Sequence, residues 1–77
     1  MKIHVYTKSG CPNCETAKAL LKSRGLPFEE NNLDEPALIA AFQRMYPEAR
    51  QMPQITIDGQ RVGGLAGLQA ALRQLGL

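Results

Sequence analysis

Cys11 and Cys14 are the only cysteines in the chain, and the two residues between them constrain its fold more than any other feature. A disulfide between them would fence off so short a loop that chain entropy makes it worth only roughly 2 kcal/mol, near the low end for such bonds. A structural staple gains more by spanning a long loop. A bond this small makes sense as one that is made and broken. The pair also lies where the alternation of Ile3, His4, Val5 and Tyr6 gives way, through Ser9-Gly10, to helical spacing. The chemistry is therefore expected at a strand-to-helix junction.

Size narrows the options. With 77 residues, one domain over 1–77 is expected, burying about 60% of the surface of its unfolded chain. The two cysteines exclude a disulfide-rich secreted scaffold. The formal charge is +2, and the nine Lys and Arg residues are scattered, with no basic stripe and no interleaved aromatics. Nucleic acid is not an expected partner. No apolar run approaches the ~20 residues of a membrane span, and residues 1–6 are too short for a signal-peptide core. The expected compartment is the reducing cytoplasm, where a Cys-x-x-Cys beside a βαβ pattern indicates redox or metal chemistry.

Periodicity predicts seven elements. A first strand ends before Ser9-Gly10, and a helix over residues 12–24 carries Cys14, Ala17, Leu20 and Leu21 on one face. Pro12 suits its first turn. Glu15 and Lys22 complement its dipole, and Gly25 with Leu26 forms its C-terminal cap. Residues 27–33 make a weaker strand, because Glu and Asn are poor strand formers. Asp34-Glu35-Pro36 opens a second helix with an acidic first turn and a stripe of Leu38, Phe42 and Met45, ending at Tyr46-Pro47. A strand over 53–57, the Asp58-Gly59 hairpin, a return through Arg61-Val62 and a helix striped by Leu65, Leu68, Leu72 and Leu75 complete the chain. The order β-α-β-α-β-β-α predicts an α/β fold with a four-stranded mixed sheet flanked by three helices.

Three stretches carry a family resemblance: Val5-Tyr6-Thr7-Lys8-Ser9-Gly10-Cys11-Pro12-Asn13-Cys14; Ala17-Lys18-Ala19-Leu20-Leu21; and Met52-Pro53-Gln54-Ile55-Thr56-Ile57-Asp58-Gly59-Gln60-Arg61-Val62-Gly63-Gly64. Together they resemble a small dithiol glutaredoxin, and so a minimal thioredoxin fold. The resemblance implies a cis peptide bond before Pro53, facing the cysteines. It also implies a glutathione groove formed by Lys8, Pro12, Asn13, Met52, Pro53, Gly64, Leu65 and Ala66. Glutathione would be the reductant and co-substrate, with no resident cofactor or metal; protein disulfides or glutathione mixed disulfides would be the substrates of a monomer, with ribonucleotide reductase a client by family that no residue here selects.

Three departures from the family pattern stand out. Asn13 occupies a place where dithiol glutaredoxins usually carry tyrosine. Leu65-Ala66 follows Gly63-Gly64, where the family commonly has an aspartate or serine. Arg50-Gln51-Met52-Pro53 resembles the loop of glutaredoxin-like redoxins that draw electrons from thioredoxin reductase and serve ribonucleotide reductase. That redoxin is the alternative, and an iron–sulfur carrier working as a glutathione-bridged dimer is a further one.

The thiolate is the reactive form, and a free cysteine with a pKa near ~8.5 is mostly protonated at neutrality. Cys11 sits at a helix N-terminus with Lys8 three residues earlier, and both favour the anion. A fall of ~2–3 pH units would make it mostly thiolate, and each unit costs about 1.4 kcal/mol. Cys14, one turn in and on the apolar face, is the expected resolving thiol. The plainer readings are a solvated Lys8, a trans Pro53, Gly63-Gly64 as a mere hairpin exit, Arg50 as an idle loop residue, and His4 as a sheet residue without a role. A zinc site would need four ligands, and His4 is the only other good candidate.

Overall fold

The computed structural model describes residues 1–49 and 51–77. Its elements are β1 (Ile3–Thr7), α1 (Pro12–Ser23), β2 (Glu29–Asn32), α2 (Pro36–Met45), β3 (Gln54–Ile57), β4 (Gln60–Gly63) and α3 (Leu65–Leu75). The order matches the expected one. The strands lie as β2-β1-β3-β4. β1 runs parallel to β2, with His4 opposite Glu29, and antiparallel to β3, with Val5 opposite Ile55. β3 and β4 form the hairpin, whose turn residues Asp58 and Gly59 both take positive φ, 51° and 84°, as a two-residue turn of matching twist requires.

Alternation along β1 divides the molecule into two unequal layers. Ile3 and Val5 join Ile55 and Ile57 beneath Ala17 and Leu21 of α1 and Leu68 and Leu72 of α3, forming the main core. Tyr6 points to the opposite face, where its ring lies 4.9 Å from that of Phe42 on α2, with Tyr46 5.3 Å beyond Phe42. The sheet therefore carries two helices on one side and one on the other. β2 is an edge strand, which explains how the polar run Glu-Glu-Asn-Asn can be a strand at all: an exposed edge tolerates, and is protected by, charge.

Local signals set the helix limits. α1 stops in a Schellman cap: Leu26 N–H donates to the Leu21 carbonyl and Gly25 N–H to that of Lys22, both at 3.0 Å. Gly25 takes φ +66° to do so. At the start of α3, Gly67 lets the helix press onto β4, because a Cβ there would lie 1.9 Å from the Val62 carbonyl oxygen.

Some apolar stripes are narrower than the periodicity implies. In α2 only Phe42 is buried, while Leu38 and Met45 are 37% and 55% exposed. One helix alone covers that face, so only its central side chain reaches the sheet. Tyr46, at the end of the helix, is half-buried. In α3, Leu68 and Leu72 are buried but Leu75 lies exposed on the rim, over a shallow groove with Met1 and Ile57. The expected acidic first turn of α2 is also absent. Glu35 is its N-cap without a side-chain bond, and the Asp34 carboxylate turns instead to Ser9. Among the described residues, no helix is long and apolar enough to cross a membrane.

Candidate active site

Cys11 is the N-cap residue of α1, with extended backbone angles, and Pro12 opens the helix. Cys14, the third helical residue, donates its backbone N–H to Cys11 Sγ at 3.1 Å. Cysteine thus fills a place where serine or aspartate would normally accept that N–H. A negative charge on this sulfur meets the Cys14 N–H, which also donates to the Cys11 carbonyl at 3.1 Å, and the positive end of the helix dipole. Cys11 and Cys14 are joined as a disulfide, with Cα atoms 5.3 Å apart. Cys14 is fully buried, whereas Cys11 keeps 9% of its surface open.

The opposite wall comes from the start of β3. The Met52–Pro53 peptide is cis, as the family pattern implies, and the Met52 carbonyl oxygen lies 3.5 Å from Cys11 Sγ. Pro53 is buried behind it. Gln54 fixes this loop from below: its Nε2 donates to the Gln51 carbonyl at 2.8 Å, and its Oε1 accepts from Arg61 Nη1 at 3.2 Å. Arg61 in turn stacks over the Tyr46 ring at 5.5 Å.

Two grooves converge on Cys11. One, of about 410 Å³, runs between Pro12-Asn13 and Gln51-Met52, with Lys8 at its side. The other, of about 390 Å³, lies between α1 and β2 and is bordered by Lys8, Glu15, Lys18 and Glu30. A larger hollow of about 560 Å³ between α2 and the Met52 loop includes Lys8 but not the cysteines, so the chemistry belongs to the smaller pair.

The charges around the second groove are tied together. Lys18 Nζ lies 2.8 Å from Glu15 and 3.1 Å from Glu30. The Thr7 hydroxyl donates to Glu30 at 2.8 Å. The Thr7 hydrogen bond, followed by Lys18, holds the Glu30 carboxyl below the usual range. Glu15 and then Glu30 push the Lys18 ammonium up. Asp34 also sits below the usual carboxylate range, because the Ser9 hydroxyl and then the Ser9 N–H donate to it.

Of the residues singled out from the sequence, Lys8, Cys11, Pro12, Asn13 and Met52 border one groove, with Cys14 beneath and Pro53 behind. Gly64 stands against the Pro53 backbone: a Cβ there would meet its carbonyl oxygen at 3.3 Å. Leu65 packs against the main core and Ala66 is exposed. Arg50 lies outside the described residues. His4 pairs with Glu29 at 3.3 Å, away from the cysteines, and among the described residues no group of three His, Cys, Asp or Glu is placed to hold a metal. Sequence reasoning missed Glu30, Asp34 and Gln54. Topology offered a signal for Asp34, because a residue just after β2 must lie beside the loop that leaves its parallel neighbour β1.

The glutaredoxin family model matches residues 3–62. The chain belongs to the glutaredoxin family. Glutaredoxin 3 of Escherichia coli is 41% identical over 70 residues, spanning 88% of this chain and 82% of that protein. Among solved structures, a buckwheat glutaredoxin–glutathione complex superposes with TM-score 0.76 at 25% identity, over 94% of this chain and 68% of that one. The glutaredoxin-like NrdH-redoxin of Escherichia coli, described as having a thioredoxin-like activity profile, gives 0.74 at 26% identity, over 91% and 93%. This glutaredoxin is a thiol–disulfide oxidoreductase with a redox-active dithiol.

Proposed function

We propose that residues 1–77 act as one monomeric glutaredoxin domain of a reducing cytoplasm, with Cys11 as nucleophile and Cys14 as resolving thiol. The observation that carries this reading is the asymmetry of the pair: Cys11 caps the helix through its sulfur and keeps 9% of its residue surface open, while Cys14 has none. The Cys11 thiolate attacks a client disulfide, forming a mixed disulfide and releasing the first client sulfur as thiolate. The deprotonated Cys14 then attacks Cys11 Sγ, releasing the second client sulfur and leaving the Cys11–Cys14 disulfide. Two electrons pass to the client, whose two released sulfurs take up protons. Two glutathione molecules return the electrons and leave as glutathione disulfide. Family membership and the glutathione bound by the buckwheat relative support this donor, with Lys8, Pro12, Asn13, Met52, Pro53, Gly64, Leu65 and Ala66 as its groove.

Two observations favour a second reading. Leu65 and Ala66 place no polar side chain at the start of α3, and the chain also superposes on NrdH-redoxin. In this reading thioredoxin reductase is the donor and ribonucleotide reductase a client. The deciding experiment offers oxidised protein either glutathione with glutathione reductase or thioredoxin reductase, each with NADPH. Nicotinamide consumption with glutathione supports the first reading, and consumption only with thioredoxin reductase overturns its donor while leaving the cysteine roles intact.

A further inference from the structure

Three residues, Lys8, Ser9 and Gly10, join the end of β1 to the cap of α1, and the sulfur can sit no more accurately than they hold it. Ser9 is tied through both its backbone N–H and its side chain. Its N–H donates to Asp34 Oδ1 at 3.2 Å and its hydroxyl donates to Asp34 Oδ2. Asp34 is itself fixed, because its N–H donates to Asn32 Oδ1 at 2.8 Å. One residue earlier, Leu33 N–H donates to the Thr7 carbonyl at 2.8 Å. The segment after β2 therefore grips the segment after β1 at Thr7 and again at Ser9, two residues before the nucleophile.

We infer that Asp34 is a positioning residue for Cys11, acting through Ser9 to hold the sulfur at the helix cap. This rests on the reading of Cys11 as nucleophile. A carboxylate suits the task because its two oxygens accept both Ser9 donors at once. Asparagine can make the same two contacts, since its oxygen accepts the N–H and its amide donates to the hydroxyl oxygen. Alanine can make neither. The charged groups that border Cys11, namely Lys8, Glu15, Lys18 and Glu30, are unchanged by substitutions at position 34. Loss of the clamp therefore reports on placement, because a freed loop lets the sulfur drift from the Cys14 N–H and from the dipole that stabilises its anion.

The test is alkylation of the reduced full chain by iodoacetamide across pH, with peptide mapping to assign the label, in wild type, Asp34→Ala, Asp34→Asn and Ser9→Ala. The expected result for Asp34→Ala is a Cys11 labelling profile displaced to higher pH, with a rate about threefold lower on the acid side, the effect of roughly half a pH unit. Asp34→Asn returns to near the wild-type profile, and Ser9→Ala falls between. Identical profiles in all four proteins overturn the inference. So does an equal displacement in Asp34→Ala and Asp34→Asn, which would make the charge and not the clamp responsible. If the wild-type label lands first on Cys14, the nucleophile assignment fails and the inference with it; the peptide map, independent of the rates, identifies that outcome.

Discussion

The backbone N–H of Cys14 donates to Cys11 Sγ at 3.1 Å, so the residue proposed as resolving thiol also contacts the sulfur proposed as nucleophile. On the proposed roles, that amide is the donor available to a Cys11 thiolate in the reduced protein, and the Cys14 sulfur is bonded to the same atom in the oxidised one. Attack and resolution thus share one helical turn.

Single cysteine replacements should separate those roles. Cys11→Ser is expected to abolish reduction of a client disulfide. Cys14→Ser should retain attack and accumulate a mixed disulfide with glutathione, visible by intact-mass spectrometry. A stable adduct on Cys11→Ser, with none on Cys14→Ser, would reverse the assignment.

The single buried side chain of α2 gives a stability prediction. Phe42→Ala should cost about 3–5 kcal/mol, as expected for a packed aromatic. Leu38→Ala and Met45→Ala, on the exposed part of the same helix, should each stay within about 0.5 kcal/mol. Urea unfolding curves measure all three, and comparable losses would show that the whole stripe is packed.

Gly67 offers a second test, independent of side-chain burial. A methyl group there meets the Val62 carbonyl at 1.9 Å, and backbone on both sides leaves little room to yield. Gly67→Ala should destabilise by about 3 kcal/mol, the upper end of ordinary overpacking. An unchanged urea midpoint would mean that α3 does not approach β4 so closely.

Glu30 predicts an acid limb. The Thr7 hydroxyl and Lys18 lower its folded-state pKa, so its contribution to stability is complete above the ordinary glutamate value of about 4.3. That contribution shrinks as pH falls through the lower folded value and is absent below it. Wild type and Glu30→Gln should differ in urea midpoint at neutrality and converge in acid. A gap that persists in acid would contradict this.

The sequence exposes whatever depends on neighbours a few residues apart. Gly25 and Leu26 announce the Schellman cap, Asp58-Gly59 the hairpin, and Pro12 the helix that places Cys11, because each acts within one turn of chain. Burial along α2 was not legible: Leu38, Phe42 and Met45 are equally apolar, and only the arrangement of layers decides that Phe42 alone meets Tyr6. Asp34 was misjudged for a related reason. Just before Glu35-Pro36 it resembles a helix-opening acid, but the parallel pairing of β1 and β2 offers it the two donors of Ser9, 25 residues away. Gln54, within a strand, discloses nothing of its bond to the Gln51 carbonyl, because the side chain that makes it reads in sequence only as a strand position.

The central claim is that the sulfur at the cap of α1 is anionic at neutral pH. It is tested most directly by ultraviolet titration of thiolate absorbance in reduced Cys14→Ser, where Cys11 is the only thiol. The account predicts a midpoint below neutrality, well under the ~8.5 of a free cysteine. A midpoint at the free value would contradict it.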